Sequence, residues 1–295
     1  MAKQMENSLT GQDVGEYKIG PLLGVGGMGE VYQATGSDGK SVAIKFLRND
    51  FIADTGAQAR FIREIRIMEA LEHENIMPIF GHGIINGTTL YYTMHLINGM
   101  ALSTMMKRQR FTPKKAWLIL EQLFRALEYG HSQSVVHRDI KPDNVFIERH
   151  EKLHVYLGDF GLGKRSGIDQ TLTEADAAIG TPHYMSPEAI MGERPDPRAD
   201  IYSVCVLAYE LLLGILPFDE PFAHSTAIAH VTKPVPKPTS LNPDFPKAFE
   251  DVLLKGMEKK RDDRQQDMGE LITVFLNAYD TLTEEQLNTV YVAVN

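Results

Sequence analysis

From Tyr17 to about Met94 the chain alternates short apolar and polar runs, broken by turn signals at Ser37-Asp38-Gly39 and Asn86-Gly87. That alternation predicts strands joined by hairpins. One stretch departs from it. Between Ala59 and Leu71, Phe61, Ile65, Met68 and Leu71 recur at three- and four-residue steps with charges on the other faces, which predicts a helix.

Beyond a short link at Asn98-Gly99 the period changes. Lys114 to His131 reads as a helix, Leu153 to Leu157 as a strand running into a Gly158-Asp159 turn, and Ala199 to Leu213 as a mostly apolar helix that belongs at a domain centre. Prolines between Lys233 and Pro246 remove backbone donors and bias their neighbours to extended geometry, so no regular structure is expected there. Thr283 to Asn295 is expected to form an extra helix or a frayed tail. The pattern is that of an α+β protein: a small sheet-rich lobe with one helix, then a larger, mainly helical lobe.

Composition narrows the picture. With 295 residues, 43% of them apolar, the chain is long enough for two modest cores. A formal charge of -9 disfavours a nucleic-acid or anionic-membrane surface, so neither partner is expected. The single cysteine, Cys205, cannot form an intrachain disulfide and lies in an apolar run, where it reads as a small core residue. The first sixteen residues carry no apolar signal core, and no later stretch reaches the roughly 20 apolar residues that span a bilayer. A soluble, cytoplasmic chain is the expectation, with no internal repeat.

Five short strings carry the chemistry: GVGGMGEVY from Gly24, VAIK ending at Lys45, HRDIKPDN from His137, DFG from Asp159 and SPE from Ser186. Gly24, Gly26 and Gly29 sit between two strand-like runs, which argues against a dinucleotide fold, where such a loop opens a helix. A glycine hairpin instead lets backbone amides approach triphosphate oxygens closely. Lys45 ends an apolar strand that carries its ammonium under that loop, and Glu64, on the inward face of the first helix, is its expected anchor, with Glu69 as a rival. Asp139 suits a base that accepts a hydroxyl proton, Lys141 a cation on the transferring phosphoryl group, and Asn144 and Asp159 oxygen donors for a hard divalent cation. Taken singly, each is an edge-strand lysine, a solvated glutamate or a turn aspartate. The ordered set outweighs those readings.

These residues resemble the eukaryotic-type (Hanks-type) protein kinase family over about Tyr17 to Tyr279, and GGMGEVY, GTPHYMSPE and the stretch from His230 through LNPDFPKAFEDVLLKGMEKKRDDR look most like bacterial Ser/Thr kinases. The resemblance implies a bilobal protein-kinase fold, with an extension over 1–16, an antiparallel-sheet N-lobe and hinge over 17–97, a helical C-lobe over 98–279 and a tail over 280–295. It implies transfer of the ATP γ-phosphate to Ser/Thr hydroxyls of proteins, with Mg²⁺, or Mn²⁺ in its place, as the metal.

It further assigns nucleotide contacts to Leu23, Gly24, Val25, Gly26, Gly27, Met28, Gly29, Val31, Ala43, Lys45, Met94, His95, Ile97 and Phe146. Catalysis falls to Asp139, Lys141, Lys45 and Glu64, and metal binding to Asn144 and Asp159. Met94 would be the gatekeeper, His95 and Ile97 the adenine-binding hinge, and Met68, His137 and Phe160 an internal column. Glu188 should pair with Arg264, Asp200 should brace the catalytic loop, and Thr181 should bond near Asp139 and Lys141. Thr171 and Thr173 are the expected activating autophosphorylation sites, pairing with Arg138, with a homodimer during that reaction.

Two other classes compete with this reading, a pseudokinase scaffold and a kinase acting on a small molecule. The retained Lys45, Glu64, Asp139, Asn144 and Asp159 oppose the first, and GTPHYMSPE, which resembles a peptide-holding segment, opposes the second. The chain departs from the family at Ser186, where alanine is usual, at Gly163, at Arg261, where proline is frequent, and at His95, where glutamate is frequent. Gly158 and Gly163 are expected to loosen the backbone and make the activation segment easy to reorganise.

Overall fold

The structure is a computed structural model that describes residues 9–27, 29–149, 152–160, 182–194 and 196–293. The chain forms two compact units, one of Met1–Glu72 with Ile76–Asn98, the other of His73–Asn75 with Gly99–Asn295.

In the first unit the strands are β1 (Asp13–Val14), β2 (Tyr17–Val25), β3 (Gly29–Gly36), β4 (Ser41–Leu47), β5 (Ile79–Ile85) and β6 (Thr89–Met94), with helix α1 (Thr55–Glu69) between β4 and β5. They form one antiparallel sheet in the order β1-β2-β3-β4-β6-β5. The β5–β6 connection is the tight turn that Asn-Gly predicts: Asn86 and Gly87 have φ of 51° and 73°, and Thr88 N–H donates to the Ile85 carbonyl at 3.1 Å.

Helix α1 begins four residues earlier than its periodicity suggested. Asp54 caps it, accepting N–H bonds from Gly56 at 2.8 Å and Ala57 at 3.0 Å, and so satisfies donors that periodicity cannot see. Its buried stripe is Ala57, Phe61, Glu64, Ile65 and Met68. A carboxylate therefore lies within an otherwise apolar face.

The second unit contains β7 (Gly99–Ala101), α2 (Leu102–Arg108), α3 (Pro113–Ser132), β8 (Val145–Arg149), β9 (Leu153–Leu157), α4 (Pro187–Ile190), α5 (Pro197–Leu213), α6 (Ala223–Thr232), α7 (Pro238–Leu241), α8 (Lys247–Gly256), α9 (Met268–Asp280) and α10 (Glu284–Asn288). Strands β7, β8 and β9 make a small antiparallel sheet. Asn75 belongs to this unit: its Nδ2 donates to Gln122 Oε1 and the Val155 carbonyl, each at 3.0 Å.

Helix α5 is the core of this unit, buried on every side apart from its ends, as a helix apolar all round must be. Asp196 caps its start, and Gly214, at φ 74°, closes it in the left-handed conformation that glycine adopts without strain. Around Phe275, the rings of Trp117, Phe124 and Phe249 lie 5.0–5.6 Å away and bind α3, α8 and α9 together. Cys205 is buried on α5, and burial pushes its thiol up to about 12, consistent with a packing role.

Contrary to the expectation from its prolines, the stretch from Lys233 to Pro246 is not wholly irregular. The proline-rich stretch contains a short helix, α7, because Pro238 stands at its first position, where a missing N–H costs nothing and the fixed φ is already helical. At the C-terminus, α10 carries a capping box between Thr283 and Gln286. After it the chain is extended, with Tyr291 buried against Phe245 at 5.5 Å and Asn242 Nδ2 donating to the Val292 carbonyl at 2.9 Å. Among the described residues no helix is long and apolar enough to cross a membrane.

Candidate active site

In the first unit, the glycine loop is the β2–β3 connection. Gly24 pairs with Val31 and Val25 with Glu30, and Gly26 N–H closes the turn on the Gly29 carbonyl at 2.8 Å. The glycines differ in what requires them. At Gly29 a Cβ would lie 2.9 Å from the Phe46 carbonyl oxygen and 3.0 Å from Lys45 Cγ, so the lysine stem excludes any side chain. At Gly24 and Gly27 a Cβ would meet nothing within 4 Å. Packing does not demand glycine there. Leu23 and Val25 expose 50% and 57% of their surface beside them. Met28 lies outside the described residues.

Lys45 lies on β4 next to Val31 in the β3 register, and its Nζ binds Glu64 Oε1 at 3.0 Å, with 9% and 12% of the two side chains exposed. Tyr92 Oη donates to the same Glu64 oxygen at 2.9 Å. Glu69, the rival, instead meets His82 Nδ1 at 2.7 Å. Ala43 is buried and pairs with Met94 across β4 and β6. The His95 N–H donates to the Pro78 carbonyl at 3.2 Å, while Val31, Met94, His95 and Ile97 are all half-buried. Met68 is buried on α1.

In the second unit, the segment His137 to Asn144 leaves α3 and ends in a single helical turn at Pro142–Asn144. Lys141 Nζ binds Asp139 Oδ2 at 2.6 Å, and Asn144 Nδ2 donates to the same oxygen at 3.0 Å and to the Asp139 carbonyl at 2.7 Å. With its Nδ2 thus spent, the amide oxygen is the Asn144 atom suited to a hard cation. Asp159 has φ 48° and Arg138 φ 67°, two non-glycine residues in left-handed backbone, a strain that clusters at functional sites.

The surrounding bonds hold this strain. Fully buried Asp200 accepts the His137 N–H at 2.7 Å, the Arg138 N–H at 2.8 Å and His131 Nε2 at 2.8 Å. Burial pushes its carboxyl up, but the His131 side chain and the Arg138 N–H hold it below its ordinary value. His137 Nδ1 accepts the Asp139 N–H at 3.3 Å, so its Nε2 carries the proton toward the Gly158 carbonyl, 3.1 Å away. Burial lowers this imidazole and keeps it neutral. Phe160 is buried with its ring centroid 4.7 Å from that of His137.

Gly158 packs closely against β8. Its N–H donates to the Asn144 carbonyl at 2.9 Å, and a Cβ would lie 2.9 Å from the Phe146 ring. Close packing against Phe146 requires the glycine. Gly163, Thr171, Thr173 and Thr181 lie outside the described residues.

Glu188 and Arg264 meet in a two-pronged pair, both N–O distances 2.8 Å. Ser186 supplies the α4 cap, its Oγ accepting the Ala189 N–H at 3.4 Å, and its side chain also hydrogen-bonds Glu188. Arg261, where proline is frequent, pairs with Glu193 and, at 3.2 Å, with Asp196. His131 was missed from the sequence. It is an α3 residue whose importance shows only in the Asp200 bond, and no spacing rule marks it.

His230 supplies a pH test. It is fully buried on α6, with Nδ1 2.8 Å from Tyr202 Oη and its carbonyl accepting Lys259 Nζ at 2.8 Å. Burial first, then the Lys259 cation, push its imidazole from 6.5 down to about 3. Between those values the unfolded chain binds the proton more readily, so the contribution is complete above pH 6.5 and lost as pH falls toward about 3. We expect unfolding free energy to drop by about 2 kcal/mol from pH 7.5 to pH 5 on this account, and the slope to flatten in His230→Gln. Urea titrations across that range check it; a slope identical in the variant and the parent contradicts it.

A sheet unit with a glycine hairpin and a buried Lys–Glu pair, and a helical unit with an Asp–Lys–Asn cluster, define a protein kinase. The chain belongs to that family: the protein kinase domain matches residues 17–277. It is 35% identical over 281 residues to serine/threonine-protein kinase PknH of Mycobacterium tuberculosis, covering 95% of this chain and 44% of the relative. To PknE and PknD of that organism, both named serine/threonine-protein kinases, it is 35% identical over 266 residues and 34% over 283. Those matches cover 90% and 95% of this chain and 46% and 42% of the relatives, so the chain spans a little under half the length of these curated relatives. The crystal structure of the M. tuberculosis PknI kinase domain superposes with a TM-score of 0.72 at 24% identity, over 91% of this chain and 98% of that one, which establishes the fold.

Proposed function

We propose that this chain is an active, ATP-dependent protein serine/threonine kinase. The observation that carries the reading is the Asp139 cluster. Lys141 and Asn144 both bind Oδ2, which fixes the carboxylate plane, so the acceptor hydroxyl proton is assigned to Oδ1. Lys45, held by Glu64, is the cation for the α- and β-phosphates, and the open backbone at Gly24 and Gly27 suits the approach of a triphosphate. Leu23, Val25, Gly26, Met28, Gly29, Val31, Ala43, Met94, His95, Ile97 and Phe146 complete the proposed nucleotide contacts.

Asn144 and Asp159 would hold a divalent cation, Mg²⁺ or Mn²⁺. Their amide and carboxylate oxygens fit a hard metal, which when bound neutralises charge on the phosphates. The catalytic segment we propose is 17–279. The substrates are proteins with Ser/Thr acceptors, since Lys141 follows Asp139 at the spacing of Ser/Thr-type loops. Thr171 and Thr173 are the proposed autophosphorylation sites, modified within a homodimer, and the working compartment is the cytoplasm.

Incubation with labelled ATP, magnesium and generic protein or sugar acceptors tests this. Label on protein serine and threonine is expected. Transfer no greater than that of Asp139→Asn identifies a scaffold instead, and transfer to sugar alone a small-molecule kinase.

A further inference from the structure

Tyr92 stands directly across from Lys45, its register partner on β6. Its side chain is fully buried, the ring centroid is 5.4 Å from that of Phe61 on α1, and Lys45 Nζ is 5.6 Å from the ring centroid. The hydroxyl donates at 2.9 Å to Glu64 Oε1, the oxygen that also takes Lys45 Nζ at 3.0 Å. Glu64 is therefore tied to the sheet at two points, from two adjacent strands, and one tie does not use the lysine.

That second tie has a consequence for the first. A buried ammonium and carboxylate lose much of their mutual attraction to desolvation, so the pair alone is a weak device for holding a helix. A hydroxyl donating to a carboxylate is among the stronger hydrogen bonds, and its strength does not depend on where the lysine points. Phenylalanine would fill the same space against Phe61, so packing accounts for the ring but not for the hydroxyl.

We infer that Tyr92 is a positioning residue, whose hydroxyl holds Glu64, and through it Lys45, in the paired arrangement before nucleotide arrives. The inference rests on the reading that Lys45 contacts the ATP phosphates. The α- and β-phosphates are present in ground and transition state alike. Losing the hydroxyl therefore weakens uniform binding and raises KM for ATP while sparing kcat.

Tyr92→Phe is expected to raise KM for ATP roughly tenfold with kcat changed by less than about twofold. It is also expected to speed amide hydrogen exchange in α1 around Glu64 in nucleotide-free protein. A merely structural role would lower the active fraction, and hence apparent kcat, with KM constant. In a Glu64→Ala background the second substitution should add no further rise in KM; an additive rise overturns the inference, as does unchanged α1 exchange in Tyr92→Phe. Lys45→Met separates the two claims. A KM for ATP unchanged in Lys45→Met sinks the role of the lysine, whereas a raised KM there combined with a KM unmoved by Tyr92→Phe sinks only the role of the tyrosine.

Discussion

Asp139→Asn is expected to lower kcat for phosphoryl transfer by about a hundredfold to ten-thousandfold, the range over which a positioned general base acts. The substitution preserves shape and an oxygen for Lys141 and Asn144 to bind, but it removes the negative charge and with it the affinity for a hydroxyl proton. Only the chemistry should suffer. Asp139 is partly exposed, with 40% of its side chain accessible, so losing its charge leaves Lys141, itself 28% accessible, in contact with water. The thermal midpoint should therefore stay within a degree or two of the parent. Initial rates at saturating ATP and peptide decide the matter. Retention of more than half the parental kcat would remove Asp139 from the role of base.

The other large effect is on stability. Arg264 has every N–H donor satisfied: Nε on the Glu258 carbonyl at 2.7 Å, Nη1 on Glu188 and the Arg198 carbonyl, and Nη2 on Glu188 and the Lys259 carbonyl. Its guanidinium lies 4.9 Å from the Tyr202 ring centroid, with 0% of the side chain exposed and 3% of that of Glu188. Glu188→Ala strands a cation in this dry setting and should cost about 3–5 kcal/mol; Arg264→Met strands the carboxylate and should cost about as much. Removing both, as Glu188→Leu with Arg264→Met, should recover much of the loss, because no uncompensated charge remains.

The pH dependence follows the same pair. Burial raises the Glu188 carboxyl, but Arg264 more than reverses this and holds it below 4.5. Its contribution is therefore complete above pH 4.5 and lost as pH falls through the lowered value. Urea unfolding of the three variants at pH 7.5 measures these energies. Single variants losing less than 1 kcal/mol would show that water reaches this pair.

The candidate site could be read from the chain in proportion to how local its chemistry is. Asp139, Lys141 and Asn144 lie within six residues, and the contacts among them are those that such spacing permits. Glu64 could be chosen over Glu69 because helical period turns one inward and the other toward the helix end, where it meets His82. The closeness of Gly158 to the Phe146 ring, 2.9 Å from where a Cβ would lie, could not be read from the chain, because a glycine needed for freedom and one needed for closeness are the same letter. Helix α7 was missed because proline forbids a helix interior yet favours its first position.

Period, turn residues and short motifs act over a few residues, so local chemistry settled the strands, the long helices, the Asn86-Gly87 turn and the family. Tyr92 and Glu64 are 28 positions apart, His131 and Asp200 are 69, and Glu188 and Arg264 are 76. Such polar groups become partners only when folding removes water from both and leaves each the other's best remaining hydrogen bond. Which of them meet is a property of packing, and it was decided in three dimensions.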